Sequence, residues 1–407
     1  MLRLLRENKE AVLIFLVALG ARLFLSVWHV EFGLSSIPAL FSPNAWDDFN
    51  GVYVPWLHFV SKGMVPYWDF TSYIYTPLFL YMLYPFYYFG GSYAASIPII
   101  LSDAATAPVV YLIAKRLASA RISLAAGLMY ALCPFALFYE GFLWFSSQPM
   151  TFFMLLTIYL LRSGRPTSSA VSMALAIMIK QEALFLLPVY LVWLATRFRG
   201  SAPRGILVIS IIAVIVSLPF LIIDPVRYII SLDYLNPSTS PSVACVNQII
   251  NKTTVAVCGG ATSAVSGLTL PTTAGSTVAQ AGGFPVAYVL DKIGLFLSPI
   301  IFVVALPAVI ASRKAPNALE LFSAYSLAGF LILFMLVTNI FFSYHYIPVY
   351  ALLFAATGGR RTLAVIVAAP FVALFLLPEG PMGPLVTVVA ILLVLAAQEG
   401  PKRGFSS

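Results

Sequence analysis

The sequence predicts an all-α, polytopic membrane protein of about 11–13 membrane helices, with an acidic first outer loop that contains interfacial helices. Three observations carry that prediction. The 407 residues are 61% hydrophobic and only 9% charged, and the mean hydropathy is +0.95, whereas soluble domains are roughly half apolar. Apolar runs of membrane-spanning length recur along the chain, separated by short polar breaks. The net charge of +8 is dispersed in small basic groups between those runs, as in cytoplasmic loops. That dispersal, with no glycine-rich phosphate loop and no nucleic-acid motif, excludes nucleic acid as a partner and leaves the lipid bilayer.

The first run, 11–30, follows a short basic segment with no small-residue cleavage site and reads as a retained signal-anchor. Further spans fall near 94–114, 121–139, 148–162, 168–181, 182–196, 205–223, 286–310, 317–341, 344–358, 362–378 and 382–397. The pair 168–181 and 182–196 is short enough to be half-spans or a broken hairpin around Lys180-Gln181-Glu182. Segment 73–90 is apolar enough to span, but Pro77 and Pro85 break helix continuity and its tyrosines suit a headgroup interface. Charge parity decides. With 73–90 on the outer surface, Lys115/Arg116/Arg121, Arg162/Arg165, Arg197/Arg199/Arg204, Arg313/Lys314, Arg360/Arg361 and Lys402/Arg403 all fall inside, together with Arg3, Arg6 and Lys9. Only Lys62, Lys180, Arg227, Lys252 and Lys292 fall outside. The outer loops are then 31–93, about 140–147, the long polar stretch 224–285, 342–345 and 379–381. Cys133 lies in an apolar run and reads as inert packing. Cys245 and Cys258 lie in the polar stretch, where an outer location admits a disulfide; two free thiols are the alternative. The Asn251-Lys252-Thr253 sequon gives that location weak support.

Polar residues in so apolar a chain are expensive, so each invites a functional question. Asp47 and Asp48 are adjacent carboxylates just outside the first span. Their mutual repulsion raises one proton affinity toward a range useful for a general base; a helix cap or a salt bridge to Lys62 is the structural alternative. Asp103 is a carboxylate within the second span, and Arg22 in the first span is its candidate partner, either as a structural tie or in catalysis. Glu140, Trp144 and Gln148 occupy the second outer loop. Lys180, Gln181 and Glu182 interrupt a pair of apolar helices, and Tyr344-His345-Tyr346 precedes a late span. Lys180 and His345 are candidate donors to a phosphate at the outer face. The aromatic density of 46–93 fits a membrane belt, a sugar-stacking surface or a lipid-tail groove. Asp47, Asp48, Asp69 and Glu140 could ligate a hard cation, but no metal-ligand spacing is distinctive.

Taken in order, these motifs resemble the GT-C superfamily of polyprenyl-phosphate-sugar-dependent membrane glycosyltransferases. An Arg in the first span is followed by acids in the first outer loop, then Gly63-Met-Val-Pro-Tyr-Trp-Asp-Phe and Tyr75-Thr-Pro-Leu. Leu101-Ser-Asp-Ala, running on to basic Lys115-Arg116, resembles that family's second span. Cys133-Pro134 with Glu140 to Gln148 resembles its second outer loop, although Trp144-Phe-Ser-Ser-Gln lacks an acid that many relatives carry there. Lys180-Gln-Glu, a later Leu187-Pro and Phe342-Ser-Tyr-His-Tyr-Ile-Pro resemble its remaining motifs. Mannosyltransferases that use dolichyl-phosphate mannose look nearest, notably through Tyr-Thr-Pro-Leu.

The resemblance implies a hexosyltransferase, mannose first, that inverts configuration on the outer or lumenal face of a cell membrane, or of the endoplasmic reticulum in a eukaryote. The donor would be a dolichyl- or polyprenyl-phosphate sugar and the acceptor a glycan, lipid or protein hydroxyl. Asp48 would be the general base, with Asp47 second. Asp69 and Glu140 would orient the acceptor. Lys180 and His345, with Arg22, would hold the donor phosphate, and Gln148, Gln181, Asp103, Tyr67 and Tyr75 would complete the substrate-binding set. No cofactor is implied; a divalent metal is admitted but not required. The chain divides into a GT-C-like module, 1–223, an outer polar loop, 224–285, and C-terminal membrane helices, 286–407. A transporter or lipid flippase is the alternative of a different class; it would place its polar residues near the bilayer midplane.

Overall fold

Prolines, which lack the N–H that a first helical turn leaves unused, open many of the helices. Pro77, Pro98, Pro134, Pro166, Pro188 and Pro348 all sit in first turns. The computed structural model describes residues 9–33, 48–69, 73–198, 200–232, 245–250, 253–258, 261–262, 299–338, 343–376 and 382–397. Asp47, Asn251, Lys252 and residues 263–298, which take in the end of the predicted outer loop and the start of the predicted span 286–310, lie outside these residues.

The membrane scaffold is helical, as expected. Its elements are α1 (Lys9–Phe32), α2 (Val54–Ser61, entered by a π-turn Phe49–Tyr53), α3 (Pro77–Ala94), α4 (Ile97–Ala114) and α5 (Ala120–Ala131). A π-turn, Leu137–Phe142, leads to α6 (Ser147–Arg162) and α7 (Pro166–Ile179). A 3-10 turn, Gln181–Leu186, then leads to α8 (Leu187–Arg197), α9 (Ser201–Ile223) and the short α10 (Pro225–Ser231). The C-terminal part holds α11 (299–311), α12 (Ala318–Thr338), a 3-10 turn Ser343–Tyr346, α13 (Ile347–Ala355), α14 (Arg360–Leu376) and α15 (Met382–Ala396). Among the described residues, Lys9–Phe32, Ile97–Ala114, Ala120–Phe142 and Ser201–Ile223 are long and apolar enough to cross a bilayer. The protein is an integral membrane protein.

The long polar stretch adds a small antiparallel sheet, β1 (Cys245–Ile250), β2 (Thr253–Cys258) and β3 (Ala261–Thr262), in that order. Its register sets the backbone of Cys245 opposite that of Cys258. Cys133 is buried and free, as its apolar run predicts.

One detail differs from the sequence reading, and one alternative that it left open is resolved. Pro85 does not end α3, which runs through it to a kink at Gly91, where φ is 76°. Helix 166–179 and helix 187–197 are the two arms of a broken hairpin, because Ala170 near the start of the first and Leu194 near the end of the second both pack on Gly205. The turn between them begins at Lys180, whose backbone is extended at φ −153°, ψ 127°.

Within the bilayer no hydrophobic force drives one apolar helix onto another, so small residues and interhelical hydrogen bonds do the packing. α7 buries Ser169, Ala170, Ser172, Ala174 and Ala176. The hydroxyl of Ser169 donates to the carbonyl of Thr157 at 2.9 Å, and that of Ser172 to Phe153 at 2.8 Å, stitching α7 to α6. These two helices fix the geometry of everything that follows, because α6 starts at Ser147 and ends at Arg162, while α7 starts at Pro166 and ends beside Lys180. At the basic end, the Arg116 guanidinium donates to the Arg162 carbonyl at 2.9 Å and to Ser163 Oγ at 2.8 Å, and Arg162 pairs with Glu320. Ser147, Lys180 and their neighbours occupy the opposite end of the same helices, roughly 24 Å away at 1.5 Å per residue.

Candidate active site

At that opposite end the helices are capped by irregular turns, and the polar residues gather there. Lys180 is fully buried. Its ammonium lies 2.7 Å from Glu182 Oε1 and donates to Ser147 Oγ at 3.2 Å. It also sits over two tyrosine rings, 5.5 Å from the centroid of Tyr75 and 4.9 Å from that of Tyr344. A cation stripped of water is stabilised by ring faces as well as by carboxylate. His345 Nδ1 lies 2.8 Å from the same Glu182 oxygen, and Tyr344 packs on Phe145 with ring centroids 4.3 Å apart. The break in the hairpin, the start of α6 and the turn before α13 thus meet at one buried charge cluster.

The Tyr-Thr-Pro segment is clamped to this break from the side. Thr76 Oγ1 donates to the Ile177 carbonyl at 2.9 Å, and Gln181 Nε2 donates to the Ile74 carbonyl at 2.8 Å. Gln181 therefore braces the strand that carries Tyr75. Tyr53, at the end of the first π-turn, accepts from the Ser146 backbone N–H at 3.2 Å. Asp48 lies within electrostatic reach of Tyr53 and Tyr75, next to the Lys180 cluster. Burial pushes both phenols up from their ordinary range.

Glu140 is fully buried, and neither of its carboxylate oxygens has a hydrogen-bond partner among the described residues. Lys180, Arg22 and Asp103 are its charged neighbours. Gln148 Nε2 donates to the Tyr130 hydroxyl at 3.2 Å, while its Oε1 is buried without a partner among the described residues. Buried polar groups are nearly always satisfied in native proteins, so orphaned acceptors point to something that arrives from outside. Trp144 holds the loop between Glu140 and Gln148 in place. Its φ of 55° is unusual for a bulky residue, its indole N–H donates to Ser26 Oγ at 3.0 Å, and its ring meets Phe49 at 4.9 Å.

Other predicted residues take different positions. Arg22 Nε donates to Asp103 Oδ2 at 2.6 Å and a terminal nitrogen donates to Oδ1 at 3.2 Å, both side chains being fully buried. Arg22 also donates to the carbonyls of Ala131 and Ala18, so its guanidinium is occupied within the bundle. Asp69 is exposed and accepts from the Val65 backbone N–H at 2.6 Å, closing its own turn. The Tyr67 hydroxyl donates to the Tyr75 carbonyl at 2.6 Å, so Tyr67 supports Tyr75 from behind. Among the described residues no group of three or more His, Cys, Asp or Glu gathers as a metal site. The cluster contains Ser147, Glu182, Tyr344 and Tyr53, which the sequence reading did not place in the site. The adjacency of Glu182 to Lys180 and of Tyr344 to His345 is the signal that could have found two of them.

The fold and cluster define an integral membrane protein with a buried cationic centre at one end of its helices. Residues 142–233 match the model of a protein family described as ALG3 protein. That family is of the GT-C glycosyltransferase type, which the loop motifs also resemble. Two solved structures are similar to the chain. One is ArnT from Cupriavidus metallidurans bound to undecaprenyl phosphate, at 12% identity and a TM-score of 0.44, covering 91% of this chain and 77% of that one. The other is an Archaeoglobus fulgidus oligosaccharyltransferase tethered to an acceptor peptide, at 13% identity and a TM-score of 0.37; the similarity covers 95% of this chain and 53% of that one. Comparison with curated protein sequences gives no match.

Proposed function

We propose that the chain is a glycosyltransferase that moves a hexose, mannose first, from a dolichyl- or polyprenyl-phosphate sugar to an acceptor hydroxyl, with inversion, on the outer or lumenal face of the membrane. The observation that carries this reading is the buried Lys180 ammonium, enclosed by Ser147, Tyr75, Tyr344 and the Glu182–His345 pair. Ser147, Lys180 and Glu182 lie inside the segment similar to a dolichyl-phosphate-mannose mannosyltransferase family. A buried cation with orphaned acceptors beside it suits a ligand that brings both an anion and hydroxyls.

In this scheme Asp48 removes the proton of the acceptor hydroxyl as its oxygen attacks the anomeric carbon. The bond from that carbon to the phosphate oxygen breaks, and the phosphate stays on its lipid. Lys180 and His345 face the charge that develops on the leaving oxygen. Glu140 and the Gln148 carbonyl accept from sugar or acceptor hydroxyls. A lipid phosphate is already a stable leaving group, so positioning and charge stabilisation supply the acceleration and the scheme requires no metal.

The test is an assay of purified protein with labelled dolichyl-phosphate mannose, then glucose, against glycan, lipid and peptide acceptors, reading the anomeric configuration of the product. Transfer with inversion is the expected result. Absence of transfer from every lipid-linked sugar, in protein that is folded and monodisperse, would remove the reading.

A further inference from the structure

The break after α7 sets a carboxylate as well as two donors into the buried centre. Glu182 is 3% exposed, and its Oε1 lies 2.7 Å from Lys180 Nζ and 2.8 Å from His345 Nδ1. Lys180 and Glu182 belong to one turn, whereas His345 comes from the 3-10 turn before α13. We propose that Glu182 is a positioning residue that holds the Lys180 ammonium and the His345 imidazole side by side, so that both face one lipid-linked phosphate. The inference rests on the donor reading above.

The geometry supplies the reasons. A lysine ammonium is a point charge on a flexible stem, so on its own it presents no fixed direction to a ligand. Here Glu182 Oε1 pairs with it at 2.7 Å and Ser147 Oγ accepts from it at 3.2 Å, with tyrosine rings on its flanks. The same carboxylate oxygen fixes the imidazole plane through Nδ1, as carboxylates do for ligating histidines. Without an anion between them, a lysine and a protonated histidine at this separation would repel in a low-dielectric site. Burial draws the His345 imidazole below its ordinary range in the ligand-free protein; an arriving phosphate favours its protonation, and the trio then carries one net positive charge, the complement of the single negative charge on a lipid phosphodiester. Removal of Glu182 would leave an excess of positive charge but no fixed geometry.

The experiment compares full-length wild type, Glu182→Gln, Glu182→Asp, Lys180→Ala and Lys180→Ala/Glu182→Gln. It measures donor and acceptor KM with dolichyl-phosphate mannose, and equilibrium binding of polyprenyl monophosphate. Glu182→Gln keeps the shape and should raise the donor KM roughly 10–100-fold, the scale of a charge-assisted hydrogen bond, while the acceptor KM stays within about twofold. Glu182→Asp should recover part of that loss, and the Glu182→Gln penalty should shrink in the Lys180→Ala background, where the His345 contact alone remains to be lost. A purely structural Glu182 would move both KM values and would add its full penalty to that of Lys180→Ala; either outcome overturns the proposal. Wild type that neither turns over the donor nor binds polyprenyl monophosphate removes the donor reading and the role of Glu182 with it. Wild-type binding that Glu182→Gln retains unchanged overturns the role of Glu182 alone.

Discussion

Glu140 is fully buried in the candidate site with both carboxylate oxygens unpartnered among the described residues. A buried carboxylate without hydrogen-bond partners costs about 1–3 kcal/mol or more, and such costs persist where function needs them. Glu140→Gln should therefore leave the ligand-free protein as stable as wild type or more so, while transfer falls at least about tenfold. Thermal unfolding in detergent, run beside the transfer assay, checks both; a lowered midpoint with full activity would make Glu140 a structural residue. Asp48→Asn should reduce transfer by about 100-fold or more, the usual contribution of a general base, with folded yield unchanged. Full activity in that variant would shift the role to another acid. At this scale the sequence was partly legible. Isolated charges in apolar runs identified Arg22, Asp103, Glu140 and Lys180, because charge in a membrane must be paired or used. Roles that depend on a neighbour's direction were not legible. Asp69 looks like a site acid in sequence but folds back on Val65, and Tyr67 spends its hydroxyl on the Tyr75 carbonyl.

Among the elements, the Arg22–Asp103 pair ties α1 to α4, and its bond to Ala131 adds α5. Removing one partner of a buried pair leaves the other charge stranded, so Asp103→Asn or Arg22→Met should each cost about 3–5 kcal/mol. Arg22→Met with Asp103→Leu should recover much of that loss. Unfolding midpoints of the three variants test this; equal loss in the double variant would mean that the pair is not the tie. α1 also approaches closely at two glycines. A Cβ on Gly127 would stand 2.8 Å from Ile14 Cδ1 and Tyr111 Cβ, and one on Gly141 would stand 3.3 Å from Arg22 Cγ. Gly127→Val should cost about 1–3 kcal/mol by overpacking, read from the same midpoints. The spans predicted at 11–30, 94–114, 121–139 and 205–223 were legible because each carries its own hydropathy signal. The reversal at Lys180 was legible only as an interruption, since polarity marks a break without giving the direction of the chain beyond it. The meeting of Glu182 with His345 left no trace in sequence, because no periodicity links residues so far apart along the chain.

For the whole molecule, the helices carry two chemically opposite ends. Arg116, Arg162 and Glu320 interlock at one, and Lys180, Glu182 and His345 at the other. The topology proposed from charge parity puts the basic end in the cytoplasm. Ser92→Cys and Ser163→Cys should then be labelled by an impermeant thiol reagent from opposite sides of the membrane, and labelling from the same side would overturn the assignment. Helix order made the fold legible at this scale, whereas the small sheet of the outer stretch was not, because its strands carry no apolar alternation strong enough to stand out among Ser, Thr and Gly.

The enclosure of the Lys180 ammonium by Tyr75 and Tyr344 bears on what limits the rate of turnover. In the proposed reaction the lipid phosphate carries one negative charge while the sugar is attached; once the sugar leaves, it is a monoester with up to two. A water-poor cation attracts the second form more strongly, and little solvent is at hand to loosen it. The spent lipid should leave more slowly than the bond breaks, so the first turnover of a rapid-quench experiment should outrun every later one.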